Sequence, residues 1–530
     1  MLQILQHTIA YLHFVQWSPA PKVALGKGRD MTIALVSPAE NLSGWLHAAA
    51  QRRPDKIALA VGDDTITYAA LDHRSRALAC RLLQEGLQPG DRVGVHWANS
   101  VECALLLFAC FQAGIIALPV NTRFKAAEIA YVMQHSGAVA WFSQPGLAEM
   151  AQAAAGELDH PLAIRSHLPE ALTTGDLPAP AAESLAVIMY TSGTTARPKG
   201  VMHTHASLLA GARAMASFGL DEGQTMLCTM SMMHASGLVC TLLGAIQAGA
   251  TAVLMPAFDP SGALDLIQKY RCTWLLALPA MMQFILDEQE QRPRNLGSLR
   301  VGISGGDSVP LQLQERFLGL FPQAGIRELY GITEIVPVTC GTAQANRPGS
   351  VGRPACGIAM RVLDAAGSEA ADGETGEFAI HSAGNFSGYW NDEAATKAAV
   401  HDGWFLSGDL GYRDSDGFFW FKGRKKEIII RGGSNIAPQE VEEALYRHPA
   451  VHEAGVIGMP HPVYGEEVVA CVALRQGQKA SEMELCDSAR KHLADYKAPT
   501  RIVFLDVLPK GITGKIQRRA LKDMLSAGTQ

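Results

Sequence analysis

Apolar residues along the chain fall into two alternating rhythms. Runs of strand length at residues 57–61, 92–95, 115–120 and 139–142 are separated by helical patterns at 68–85 and 100–113. The alternation continues through 251–255, 273–277 and 299–304. Apolar runs of this kind are buried on both faces, so the spacing predicts an α/β fold of parallel or mixed sheets covered by helices. After Gly352 the texture changes to short strands with turn signals, at 359–364, 376–381, 404–408 and 417–422, which predict a small antiparallel β unit. A charged turn, Gly423-Arg-Lys-Lys-Glu427, interrupts the apolar pattern. Beyond it, strands at 428–430 and 468–474 and helices at 438–447 and 482–495 form a compact α+β block. The expected organisation is an N-terminal extension (1–30), a large domain (31–423) and a small C-terminal domain (424–530), without internal repeats.

A chain of 530 residues exceeds what one core holds, and 48% hydrophobic with 18% charged residues is a globular composition. The formal net charge of -6 offers no long-range attraction for nucleic acid or anionic lipid, so a small-molecule partner is expected. Ten cysteines without a CxxC pair argue against a disulfide framework or zinc site and fit a reducing cytoplasm. The first thirty residues have no charged n-region, and polar residues break their apolar run, so they are not read as a signal peptide; Met31 is an alternative start. Residues 103–119 approach membrane-spanning length, but Gln112, Gly114 and Pro119 divide them into a core helix and a buried strand. Peripheral contact with a membrane surface stays open.

The densest candidate chemistry is Tyr190-Thr-Ser-Gly-Thr-Thr-Ala-Arg-Pro-Lys-Gly200, directly after an apolar run at 185–189. Backbone N–H groups around Gly193 and Gly200, hydroxyls of Thr191, Ser192, Thr194 and Thr195, and the charge of Lys199 together suit a phosphate clamp. Lys199 precedes Gly200, so this is not a Walker A loop. A solvated surface loop is the plainer alternative.

In Leu329-Tyr-Gly-Ile-Thr-Glu334, the ring of Tyr330 beside Gly331 can pack flat on a purine, Thr333 can donate to a phosphate, and Glu334 offers a hard oxygen to Mg²⁺. Gly302-Ile-Ser-Gly-Gly306 satisfies the G-x-S-x-G pattern and makes Ser304 a candidate hydrolase nucleophile. The following Gly-Asp-Ser-Val-Pro310 postpones the helix that such an elbow needs, with Ser308 as its cap. The competing reading has Gly305 and Gly306 admitting a flat ring. Asp409, after a strand, suits a pair of ribose hydroxyls or is a turn aspartate. His234 lies among Met226, Met230, Met232 and Met233, where a histidine is ordinarily a core residue. His203 and His205 lack a third ligand for zinc. Lys515 follows a glycine-bearing turn and precedes a basic amphipathic helix.

Together and in this order, residues 190–200, 330–334, 407–409, 423–427 and 509–515 resemble the adenylate-forming enzymes: acyl- and aryl-CoA synthetases, luciferases and peptide-synthetase adenylation domains. The segment Arg431-Gly-Gly-Ser-Asn-Ile-Ala-Pro-Gln-Glu440 is similar to the form found in CoA ligases. The resemblance implies ATP and CoA as co-substrates, Mg²⁺ as cofactor, a mobile small domain hinged at Lys426, and Lys515 as the catalytic lysine beside the α-phosphate. Catalytic roles also fall on His234, guiding the substrate carboxylate, and on Thr333. ATP contacts fall on Thr191 to Thr195, Lys199, Gly305, Gly306, Tyr330, Gly331, Thr333, Asp409, Arg424 and Lys515, and the metal on Glu334. CoA contacts fall on Gly432 and Gly433, acyl contacts on His234, Gly305 and Ile332. Ala196 stands where the family usually has glycine, and Met230-Ser-Met-Met precedes His234 where many relatives have proline and an aromatic.

The expected reaction is ATP- and Mg²⁺-dependent acid:CoA ligation. Methionines and small residues between 226 and 282 favour a medium- or long-chain fatty acid. An aromatic or dicarboxylic acid ligase, a carrier-protein-loading enzyme, a serine hydrolase on Ser304 and a non-catalytic nucleotide or acyl-CoA binding protein are the alternatives. A homodimer stays open.

Overall fold

The structure is a computed structural model that describes residues 40–171, 173–191, 198–307, 309–511 and 515–527. Strand Leu185–Thr191 is buried from Ala186 to Tyr190 and so needs cover on both faces. It lies in a six-stranded sheet ordered Ile164–Arg165, Ala140–Ser143, Arg92–His96, Ile116–Pro119, Leu185–Thr191, Lys199–Thr204. All pairings are parallel except the last. A nine-stranded sheet has a parallel centre formed by Ile57–Val61, Thr251–Leu254, Thr225–Cys228, Trp274–Ala277, Val301–Gly305 and Gly325–Ile332. Its edges are antiparallel.

Helix Val101–Ala113 shares one apolar cluster with strands of both sheets, and every residue in it but Glu102 is buried. Ser100 Oγ caps its start by accepting the Cys103 N–H at 3.0 Å, and Gly114 ends it at φ +70°. The apolar stretch 103–119 is thus a core helix followed by the buried strand Ile116–Pro119, as its interruptions predict. Among the described residues no helix is long and apolar enough to cross a membrane.

A five-stranded antiparallel sheet is built on Ile358–Leu363, Gly376–Ser382, Trp404–Arg413 and Phe419–Arg424, with Val400–His401 at its edge. The C-terminal sheet combines Ser434–Ile436, Ile429–Arg431, Gly465–Leu474, Val451–His461 and Arg501–Phe504. With helices Pro438–Tyr446 and Glu482–Arg490 it encloses an apolar cluster drawn from residues 429–502. Strands Val451–His461 and Arg501–Phe504 go beyond the sequence reading. Gly455, Gly458 and Pro460 disguise the first, yet Gly455 is needed because a Cβ there would lie 2.9 Å from Leu521 Cδ1 and 3.0 Å from Ile516 Cγ2. The helix expected over 482–495 ends at Arg490. All ten cysteines are free thiols, and only Cys356 is exposed.

Candidate active site

The parallel strands of both large sheets end at one cleft of about 940 Å³. Asn121, Thr229, Leu278 and Gly306 line it just beyond the carboxyl ends of Ile116–Pro119, Thr225–Cys228, Trp274–Ala277 and Val301–Gly305. Ligands of α/β sheets bind in crevices of this kind.

At one end, Thr191 and Lys199 form the last cross-strand pair of the hairpin Leu185–Thr191/Lys199–Thr204, and both line the cleft. The connecting clamp residues Ser192, Gly193, Thr194 and Thr195 lie outside the described residues, as do Ser308 and residues 1–30. Gly200 is required by close packing: a Cβ there would meet Ile188 Cγ2 at 2.9 Å and Trp390 Cβ at 3.1 Å. Lys199 Nζ sits 4.6 Å from the centre of the Tyr389 ring, and the Tyr389 hydroxyl donates to Glu334 Oε1 at 2.7 Å. Thr333 and Glu334 form the turn between Gly325–Ile332 and Ile335–Cys340 and line the cleft. His203 secures that turn, its Nε2 lying 2.8 Å from the Thr333 carbonyl. Burial lowers the His203 pKa to about 4, so the ring is neutral and Nε2–H donates, with Nδ1 facing Ser207 Oγ at 3.1 Å. A carboxylate beside a lysine and two threonines at the cleft wall suits Mg²⁺ carried by a polyphosphate.

Deeper in the small antiparallel sheet, Asp409 and Arg424 are cross-strand partners with Arg424 Nε 3.4 Å from Asp409 Oδ1. The Tyr330 hydroxyl donates to Asp409 Oδ2 at 2.7 Å. Burial raises the Asp409 pKa, while Arg424 and the Tyr330 hydroxyl oppose the shift. Glu377 Oε1 accepts the Gly408 N–H at 3.0 Å and its Oε2 pairs with Lys425 at 2.9 Å, fixing the turn before Asp409.

The position of Tyr330 corrects one expectation. Its ring is buried against Phe378 and Phe421 and does not line the cleft. Side chains alternate along a strand, so Leu329 and Gly331 face the cleft while Tyr330 faces the small sheet. Its hydroxyl holds the aspartate.

At the opposite end, Asn121 Nδ2 lies 3.0 Å from His234 Nε2, and Asn121 Oδ1 accepts the Arg123 backbone N–H at 2.9 Å. That second bond fixes the amide orientation, so Nδ2 donates and the proton of the neutral imidazole sits on Nδ1. Burial lowers the His234 pKa to about 4, with the charges of Lys515 and Arg123 acting in the same direction. Gly305, Gly306 and Ile332 line the cleft nearby. A Cβ on Gly305 would lie 2.0 Å from the Leu329 carbonyl oxygen, and Gly306 has φ +82°. Lys515 lines the same cleft, with its Cε 4.0 Å from the place a Gly306 Cβ would take. Burial lowers its pKa; Arg424 adds to that, while Asp307, Asp409 and Glu427 oppose it.

The remaining sequence candidates divide. Lys426 lines the cleft from the short turn Lys425–Glu427. Gly432 and Gly433 are apart from it, in the exposed turn between Ile429–Arg431 and Ser434–Ile436, with φ +56° and +82°. Ser304 is fully buried within Val301–Gly305 and its Oγ has no hydrogen-bond partner, so the hydrolase reading fails for want of both access and a base. Asn121, Glu377 and Tyr389 escaped sequence reasoning, and His203, weighed there only as a zinc ligand, was given no part in the site. For Asn121, its place two residues beyond an apolar strand was a usable signal; the other three are meaningful only through partners distant in sequence.

Comparison with known proteins agrees with this geometry. A profile of the AMP-binding enzyme family matches residues 46–390, and one of the AMP-binding enzyme C-terminal domain matches residues 440–515. The chain is 34% identical over 505 residues to a sulfoacetate–CoA ligase of Cupriavidus necator, covering 91% of this chain and 97% of the relative. It is 35% identical over 492 residues to a feruloyl-CoA synthase of an Amycolatopsis species, covering 90% and 97%. The crystal structure of the anthranilate CoA ligase AuaEII in complex with anthranoyl-AMP superposes with a TM-score of 0.88 at 26% identity, covering 93% of this chain and 99% of that one. With its two matched segments, its sheet order and its shared cleft, the protein belongs to the AMP-binding enzymes, the adenylate-forming family of the acid:CoA ligases.

Proposed function

We propose that the enzyme joins a medium- or long-chain fatty acid to CoA through an acyl-adenylate. The observation that carries the substrate class is the set of apolar side chains lining the cleft, Met230, Met233, Met255, Met281 and Leu278, in the same lining as His234. Unbranched thioethers adapt to a flexible methylene chain and present no flat slot for a ring. Relatives of nearly equal identity are named for sulfoacetate and ferulate, so identity by itself does not choose the acid.

The chemistry follows from the groups around the cleft. An acid carboxylate is ionised at neutral pH, so one of its oxygens attacks the α-phosphorus of ATP without a general base, and the bond to the β-phosphate oxygen breaks to release pyrophosphate. Catalysis is then positioning and charge neutralisation. Neutral His234, held by Asn121, orients the carboxylate without forming an ion pair that would trap it. Lys515 offsets the charge on the α-phosphate, while Thr191, Lys199 and Thr333 hold the leaving phosphates. Asp409 accepts the ribose hydroxyls beside Arg424. Glu334 would hold Mg²⁺, which would supply charge neutralisation along the phosphate chain.

In the second half-reaction the CoA sulfur attacks the acyl carbon and AMP leaves. We assign the domain boundary to residue 424 and the pivot to Lys426. Support comes from the separate apolar cluster of residues 429–502 and from the two family profiles, which fall on either side of that point. A pivot there exchanges Lys515 for the turn holding Gly432 and Gly433, where the thiol enters. Ten free thiols, nine of them away from the surface, suit a reducing cytoplasm.

A panel of carboxylic acids with ATP, Mg²⁺ and CoA, read by AMP release, tests the assignment. The expected result is highest kcat/KM for straight-chain acids of medium or greater length. Preference for an aromatic or a two-carbon acid would defeat the substrate class; absence of AMP release with any acid would defeat the reaction.

A further inference from the structure

The groups that the reaction assigns to the phosphates and to the metal are joined by a side chain with no role so far. Tyr389 is 8% exposed and lines the cleft. Its hydroxyl donates to Glu334 Oε1 at 2.7 Å, and its ring carries Lys199 Nζ 4.6 Å from its centre. The backbone explains this double contact. Tyr389 forms an antiparallel bridge with Val201, flanked by the Trp390 N–H on the Gly200 carbonyl (2.7 Å) and the Met202 N–H on the Gly388 carbonyl (3.0 Å). Residues 388–390 therefore run alongside the strand that presents Lys199. The same segment reaches the other partner, since the Phe386 N–H donates to the Glu334 carbonyl at 2.8 Å.

We propose that Tyr389 is a positioning residue that sets the phosphate-binding lysine and the metal-binding carboxylate in one fixed geometry, so that nucleotide and metal are received as a unit. The inference rests on the assignment of Glu334 to the metal and Lys199 to the phosphates. Pinning Oε1 fixes the carboxylate rotamer and leaves Oε2 to meet a cation, and partners of this kind orient metal ligands in general. The aromatic face steadies the ammonium without neutralising it, as a carboxylate in the same place would.

The two contacts are separable by mutation. Tyr389→Phe keeps the ring under Lys199 and removes only the bond to Glu334; Tyr389→Leu removes both. Two binding measurements on the full-length protein distinguish them: Mn²⁺ binding to the complex with a non-hydrolysable ATP analogue, read by loss of the free-ion EPR signal, and analogue binding without divalent metal, read by calorimetry. For Tyr389→Phe the expected result is metal binding weakened by roughly tenfold with metal-free analogue affinity unchanged. For Tyr389→Leu the metal-free affinity also falls, by about threefold to tenfold. Tyr389→Phe retains nearly all the buried volume, so it decides the matter even if the leucine variant fails to fold. Metal binding unchanged in Tyr389→Phe, alongside a clear loss in Glu334→Gln, would overturn the role of Tyr389 alone. Unchanged metal binding in Glu334→Gln would remove the assignment of the metal to Glu334, and the inference with it.

Discussion

Tyr330 and Asp409, 79 residues apart, are joined by a 2.7 Å hydrogen bond from the phenol to Oδ2. Asp409 is 3% exposed, and a carboxylate so enclosed is costly unless its oxygens are bonded. Arg424 Nε at 3.4 Å is a longer contact, so the phenol is the shorter of the two that hold the acid. Tyr330→Phe leaves that oxygen without its donor. The expected cost is about 1 to 3 kcal/mol of stability in urea denaturation, with KM for ATP raised by roughly tenfold in pyrophosphate exchange and kcat changed less. An unchanged KM would mean that Asp409 does not meet the nucleotide.

A second prediction concerns Lys515. It arrives from the C-terminal domain and lines a cleft built otherwise by the large sheets, the small antiparallel sheet around Asp409 and the turn near Lys426. Lys515→Ala is expected to reduce adenylate formation by about 10² to 10³, while thioester formation from a presynthesised acyl-adenylate and CoA persists. Equal loss in both half-reactions would refute the division of labour. The proton adds a further check. Burial lowers this ammonium below 10.5, so the alkaline limb of kcat/KM for ATP should begin earlier than an ordinary lysine would allow. Lys515→Arg should push that limb to higher pH.

Gly305 provides a steric test independent of charge. A Cβ at this position would stand 2.0 Å from the Leu329 carbonyl oxygen, a backbone atom that cannot rotate away. Gly305→Ala must therefore force neighbouring strands apart at the cleft. A loss of about 1 to 3 kcal/mol is expected, together with a clear fall in adenylation. Alanine tolerated at full stability and activity would show that the strands separate more readily than their parallel pairing suggests.

How much of this was legible in the sequence depended on the range of the interaction. The alternation of apolar strands and amphipathic helices is a local property, and it gave the covered sheets, the antiparallel unit and the α+β tail. The motifs 190–200, 330–334 and 407–409 were visible because each packs its polar groups into a few residues. Glu377 and Tyr389 were not, because one acts through a turn 31 residues later and the other through Glu334, 55 residues earlier. For Tyr330 the neighbours in sequence suggested a ring face, and the bond of its hydroxyl to Asp409 became visible only through strand alternation. Ser304 matched a catalytic pattern that carries no information about burial, and burial decides against it.

The buried histidines give the enzyme a predictable weakness toward acid. His96, His203 and His205 are 0%, 3% and 0% exposed, and burial lowers each from 6.5 to about 4. A base whose folded pKa lies below its unfolded value binds fewer protons when folded. Its contribution to stability is complete above pH 6.5 and is lost as the pH falls toward 4. Glu328 works in the opposite direction: burial raises it to about 8, so its share of stability is present below 4.5 and lost as the pH rises. The net curve mixes these terms, but a single substitution isolates one of them. His96, whose Nδ1 lies 3.0 Å from Ser143 Oγ, is the suitable choice because its own side chain is fully buried and is not one of those lining the cleft. The urea stability of wild type minus that of His96→Gln should shrink by about 1.4 kcal/mol per pH unit between pH 6.5 and 4.5. A difference that stays constant across that window would show that His96 keeps its ordinary affinity for the proton, and hence that water reaches the interior of the six-stranded sheet.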